Sequence, residues 1–91
     1  MGFKAQRGIG MPYRQQGRIY FTLVNYQDLP KSQREKIDRL IADAAGGDAA
    51  YIGALRDWLL RDDSNVQRVS MDHYISIQTL CRMREKVYKR W

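Results

Sequence analysis

The chain has one cysteine and one histidine among its 91 residues, and these two scarcities set the first limits on its chemistry. With Cys81 alone no internal disulfide can form, which fits a reducing compartment. With His73 as the single imidazole, no cluster of His and Cys ligands can build a structural zinc site. There is no run of about 18 apolar residues to cross a bilayer, no secretory signal, and Gln6 stands where a myristoylation signal needs Ser or Thr. The expectation is a soluble, cytoplasmic protein with no membrane partner.

Catalytic groupings are equally scarce. His73 and Asp72 are the one base-and-orienter pair in the sequence, and as neighbours on a helix they point in different directions. His73 is therefore expected to pack between helices. Cys81, flanked by Arg82 and Arg84, reads as a small, partly buried structural thiol. Asp62-Asp63 reads as a solvated helix terminus rather than a metal site. No enzyme, cofactor or metal is expected.

What the chain does have is enough apolar material for one core. A hydrophobic fraction of 44% with ten aromatic residues belongs to a folded chain, and 91 residues suffice for one modest core but not two. The net charge of +6 is unevenly spread. Residues 1–18 carry +4 with no acid, 19–63 carry −2, and 64–91 carry +4. Two basic poles around a mildly acidic centre form a candidate phosphate footprint.

Residues 1–17, with Gly2, Gly8, Gly10 and Pro12 among scattered cations, read as an extended, flexible basic arm whose loss would leave the helical core intact. The stretch Arg18 to Tyr26 is β-branched and aromatic, the composition of a short strand. A helix start follows at Ser32 with Glu35 three residues later, a capping-box spacing, although Pro30 allows an earlier start. Ile37, Leu40, Ile41 and Ala44 would be its buried stripe, with Gly46-Gly47 its end. Asp48 can cap the next helix, which carries Ile52, Leu55 and Leu59 with Tyr51 and Trp58 beside them. Arg61-Asp62-Asp63-Ser64 breaks that helix. The aromatic residues Tyr13, Tyr20, Phe21 and Tyr26, interleaved with Arg14 and Arg18, fit core packing better than a base-stacking platform.

The remaining stretch, Asn65 to Trp91, is the most structured in its spacing. At about 100° per residue, Leu80, Met83, Val87 and Trp91 form one stripe, and Gln78, Arg82, Lys86 and Lys89 fall together on the far side. Val66 and Val69 begin a shorter helix ending near Tyr74, Ile75 buries the turn, and Ser76 is the natural N-cap of the longer basic helix. The fold class expected is mainly α: a four-helix domain over residues 18–91 with a C-terminal helix-turn-helix at about 65–91, preceded by the arm and the strand.

The segment Val66 to Tyr88 resembles the helix-turn-helix of sigma-factor region 4 and is similar to small ArpU- and RinA-type transcription regulators of phages. The resemblance covers about the last 27 residues. In its terms Val69 is the first-helix core position, Ser70 the small residue where the helices touch, Ile75 the turn hydrophobe, and Leu80 and Met83 the core of the recognition helix. Two positions depart from the pattern: His73 replaces an aliphatic residue, and Tyr74 replaces the turn glycine. Because Tyr is strained in a left-handed turn, the turn is expected to be one residue longer or the module a looser trihelical one. The run from Leu29 to Trp91 also has the look of a small prophage or mobile-element protein.

The resemblance implies a sequence-specific regulator that binds double-stranded DNA through the major groove. Gln78, Thr79 and Arg82 would lie near base edges, Lys86, Lys89 and Arg90 on phosphates, and Ser76 would belong to the same DNA-binding set. Lys4, Arg7 and Arg14 of the arm would follow the adjacent minor groove. Such a protein would act as a homodimer or with a partner such as RNA polymerase. The other class left open is a small phage-type adaptor or inhibitor that binds a host protein, such as an RNA polymerase subunit or a CRISPR effector in the anti-CRISPR manner. Ile77 and Tyr88, near the core edge, keep that class alive.

Overall fold

The computed structural model describes residues 11–91, and in them five α-helices follow one another: α1 (Tyr13–Val24), α2 (Lys31–Ala44), α3 (Ala49–Leu59), α4 (Val66–His73) and α5 (Ile77–Lys89). A single 3₁₀ turn, Tyr26–Asp28, lies between the first two. The expected class, mainly helical, is correct, but the helices number five rather than four.

The difference arises at Arg18 to Tyr26, which is not a strand. Ile19 and Leu23 are buried on α1, and Tyr26 is buried just after it. Their i, i+4, i+7 spacing places all three on one helical face, and burying that face outweighs the local β preference of branched and aromatic residues. A lone strand would also leave its backbone groups unpaired, whereas a helix satisfies them internally. Tyr13 to Gly17, expected in the arm, form the opening of α1. Gln16 is buried, its side-chain amide donating to the Met11 carbonyl at 2.9 Å while its backbone N–H reaches the Pro12 carbonyl. Asn25 closes the helix with backbone and side-chain N–H groups both on the Phe21 carbonyl.

The Ser32–Glu35 capping box is not used. Pro30 occupies the N-cap of α2, and its carbonyl accepts from the N–H groups of both Gln33 and Arg34. Gly46 and Gly47, at φ 65° and 78°, end the helix as foreseen. Gly47 donates to Ala42 and Gly46 to Asp43, the paired bonds of a left-handed helix stop that non-glycine residues adopt only with strain. Asp48 then caps α3, accepting from Ala50 and Tyr51.

α3 is the central element, packed on α1, α2, α4 and α5. Ala54 and Leu55 are fully buried on it and meet Ile41 of α2, Val69 of α4 and Leu80 and Val87 of α5 in one core. At about 25 cal/mol per Å² of apolar surface, this burial is the main favourable contribution to folding. The rim carries charge: Asp38 accepts from both Tyr26 and Arg56 at 2.7 Å, tying α2 to α3 and to the 3₁₀ turn. No helix in the described residues is long and apolar enough to cross a membrane.

Candidate nucleic-acid interface

α4 and α5 meet through a three-residue turn, Tyr74 to Ser76. Asn65 caps α4, its side chain accepting from the Arg68 N–H at 2.8 Å. Tyr74 itself takes the left-handed conformation, φ 56° and ψ 42°, so the turn is not lengthened by a residue. The strain is held from both sides. Ile75 is buried with its N–H on the Ser70 carbonyl, and the Ser70 hydroxyl donates back to the Ile75 carbonyl at 2.6 Å. Ser76 caps α5 as expected, accepting from the Thr79 N–H at 3.2 Å.

The inner face of α5 is Leu80, Met83, Val87 and Tyr88, all buried. Tyr88 is only 2% exposed, so it belongs to the core and not to a docking edge. Val66 and Trp91, expected in the core, are half-buried at its margin. Opposite the core, Gln78, Arg82, Lys86 and Lys89 are all exposed on one side of the helix. Arg84 is excluded from that face. Its guanidinium stacks on the Trp58 ring at 4.6 Å, and burial pushes its pKa below the ordinary arginine value.

The expected site residues are not equally available. Arg82 and Lys86 have no carboxylate within ion-pair distance among the described residues. Lys89 is bonded to Glu85 at 2.7 Å, and Arg90 lies 4.0 Å from Asp43. Ser76 and Thr79 share a hydroxyl bond at 2.8 Å, and Thr79 is half-buried. Arg14 is separated from this group, on α1, where it lines a groove with Arg18 and Trp91. Lys4 and Arg7 lie outside the described residues.

His73 does pack between helices, but its partner is one the sequence did not suggest. Its Nε2 lies 3.1 Å from Asp57 on α3, and Arg61 and Arg68 approach the same carboxylate at 3.1 and 3.4 Å. Burial works against the Asp57 charge, but the bonds from His73 and Arg68 and the nearby Arg61 hold its pKa below the usual carboxylate range. Asp62 is exposed, and Asp63 is held by Arg61 through two bonds of 3.1 Å. No group of His, Cys, Asp and Glu among the described residues could hold a metal ion.

The sequence pointed to Ile77 as a docking residue but not to Met71 or Tyr74. Met71, Tyr74 and Ile77, in the last turn of α4, the connecting turn and the start of α5, are 76%, 95% and 41% exposed. The signal was present in the phase of the helices: Met71 shares the polar side of α4 with Gln67, and Ile77 stands off the stripe of Leu80 and Met83. Comparison with protein-family models, with curated proteins and with solved structures gave no match. The likeness to sigma-factor region 4 and to ArpU- and RinA-type regulators therefore rests on residues 66–88 alone.

Proposed function

We propose that the protein is a sequence-specific regulator that binds double-stranded DNA, of phage or mobile-element type, with α5 as the helix that enters the major groove. The observation that carries this reading is the exposed face of α5, where Arg82 and Lys86 stand without carboxylate partners beside Gln78. Cations already paired within a protein gain little from a phosphate, whereas unpaired ones gain an ion pair and release counter-ions from the DNA. Gln78 and Arg82 are residue types that read adenine and guanine edges by paired hydrogen bonds. The capped start of α5 at Ser76 leaves Ile77 and Gln78 exposed in its first turn, the part of a recognition helix that reaches base edges.

Lys86 and Lys89 would hold phosphates, Lys89 by leaving Glu85. A single helix reads few bases, so affinity of the usual specific range calls for a second copy or a partner such as RNA polymerase. The deciding experiment is selection of binding sites from a random duplex library: an enriched sequence is expected, and a palindrome within it would report a dimer. Arg82→Ala should then cost about 1–3 kcal/mol on the selected site and little on random DNA, whereas Lys89→Ala should weaken both alike. Failure to enrich any sequence, with folded protein, would reject the reading.

A second reading is favoured by the exposure of Met71, Tyr74 and Ile77 around the turn between α4 and α5. Exposed apolar residues gathered at one place are typical of protein-docking surfaces, and Tyr is a frequent anchor in them. On this reading the protein is an adaptor or inhibitor of a host protein, such as RNA polymerase or a CRISPR effector, and Tyr74→Ala should abolish that association.

A further inference from the structure

We infer that Arg14, Arg18 and Lys36 form, around Trp91, a second phosphate-binding surface that holds the backbone of the duplex read by α5. The inference rests on the DNA-binding reading above and extends the contact to α1 and α2.

Arg14, Arg18 and Lys36 share with Arg39, Arg82 and Lys86 the lack of a carboxylate in ion-pair range among the described residues, and their place around Trp91 sets them apart. Lys31, Arg56, Arg61, Arg68, Lys89 and Arg90 each have a carboxylate within 4.0 Å. Arg14, Arg18 and Lys36 have none among the described residues, and all three are exposed. They converge on Trp91. A groove of about 370 Å³ is lined by Arg14, Arg18 and the indole. A second, of about 270 Å³ on the α2 side, is lined by Lys36, Gln33 and the same indole. No acidic side chain lines either groove. Lys36 lies over the Trp91 ring at 5.6 Å, which fixes its ammonium beside the shared wall.

Like charges gathered with no acidic side chain among them repel one another, and an anion placed among them reduces the penalty. The distribution over two open grooves favours an extended polyanion over a small enclosed ligand. Arg14 and Arg18 are four residues apart on α1, a rise of about 6 Å. A DNA strand advances about 3.4 Å per phosphate, so one strand offers a charge within reach of each arginine. The guanidinium fork suits phosphate oxygens in pairs.

The test is a fluorescence-anisotropy titration of a labelled duplex over about 50–300 mM salt. Each phosphate contact contributes about 0.9 to the log–log slope. The double variant Arg14→Gln with Arg18→Gln should make the slope shallower by about 1.8, and Lys36→Gln by about 0.9, on selected and random duplexes alike. Arg14→Lys with Arg18→Lys should restore most of it. Exposed side chains of this kind change stability by about 0.5 kcal/mol or less, so a thermal melt will show the variants folded. Should Lys36→Gln loosen Trp91, the arginine pair, which is not stacked on it, still decides the matter. Equal slopes for wild type and the double variant would overturn the second surface and leave the α5 reading standing. No duplex binding by the wild type would overturn both.

Discussion

Tyr74 holds a left-handed backbone at φ 56° with its ring almost wholly in solvent. That conformation costs an L-residue about 1–2 kcal/mol, and the exposed ring recovers nothing from packing. Tyr74→Gly should therefore stabilise the fold by about 0.5–1 kcal/mol, after the greater freedom of glycine in the unfolded chain is subtracted. A thermal melt checks this. A lower melting temperature would mean that the ring contributes to the fold after all. Retention of so strained a residue at an exposed turn is what a contact surface would require, and the same variant should weaken any partner held by that ring. Asp57 illustrates the opposite case, a residue whose importance lies inside the fold. Its depressed pKa means that the charged form is stabilised on folding. That contribution is complete above the unfolded value near 3.9 and is lost as pH falls through the lower folded value. Stability should thus decline below about pH 4, and Asp57→Asn should flatten the decline while lowering stability at neutral pH. Melts from pH 7 to pH 2 on both proteins would show it, and parallel curves would refute it.

At the scale of elements, α5 depends on two side chains that enter the core it shares with α2, α3 and α4. Leu80 is fully buried and Met83 nearly so, in one core with Val69 and Ile75. Leu80→Ala should cost about 2–4 kcal/mol, from lost transfer energy and the cavity left behind. For a domain of this size that is a large part of the total stability. Denaturant unfolding would measure it, and a cost below about 1 kcal/mol would mean that α4 and α5 pack loosely. α1 gives a second element-level expectation, because it is part of the fold and not a tail. Deleting residues 1–16 removes the Pro12 carbonyl and the Gln16 bond that open the helix. The truncated protein should melt at a lower temperature than the full chain. An unchanged melt would show that α1 adds little to the core.

For the whole molecule, the electrostatic arrangement is informative. Most carboxylates are spent on neighbouring cations: Asp38 on Arg56, Asp57 on Arg61 and Arg68, Asp63 on Arg61, Asp72 on Arg68 and Glu85 on Lys89. Among the described residues, exposed cations with no carboxylate in ion-pair range include Arg82 and Lys86 on α5 and Arg14, Arg18 and Lys36 around Trp91, while Asp28, Asp48 and Asp62 are exposed acids with no cation in that range. If both surfaces meet DNA, five to eight phosphates are neutralised and the log–log salt slope should be about −4 to −7. Gel shifts over a salt series measure it. Absence of any duplex binding at about 50 mM salt would end the DNA reading, since non-specific binding is strongest there.

The amino-acid sequence by itself determined the elements whose signals are local. Asp48, Asn65 and Ser76 cap their helices, Gly46-Gly47 ends α2, and the stripe of Leu80, Met83 and Val87 faces inward, because caps, left-handed stops and helical phase depend on residues within one or two turns. The candidate face of α5 was legible for the same reason. Tertiary structure decided the rest. Arg18 to Val24 became α-helix because α3 offers a core for Ile19 and Leu23 to enter, a benefit that local β preference cannot anticipate. Tyr74 accepted a strained turn because Ser70 and Ile75 bond across it. Arg84 stacked on the ring of Trp58, His73 found Asp57 rather than its neighbour Asp72, and Arg14, Arg18 and Lys36 met at Trp91. All of these but the turn join residues far apart in the chain, and only packing fixes such choices.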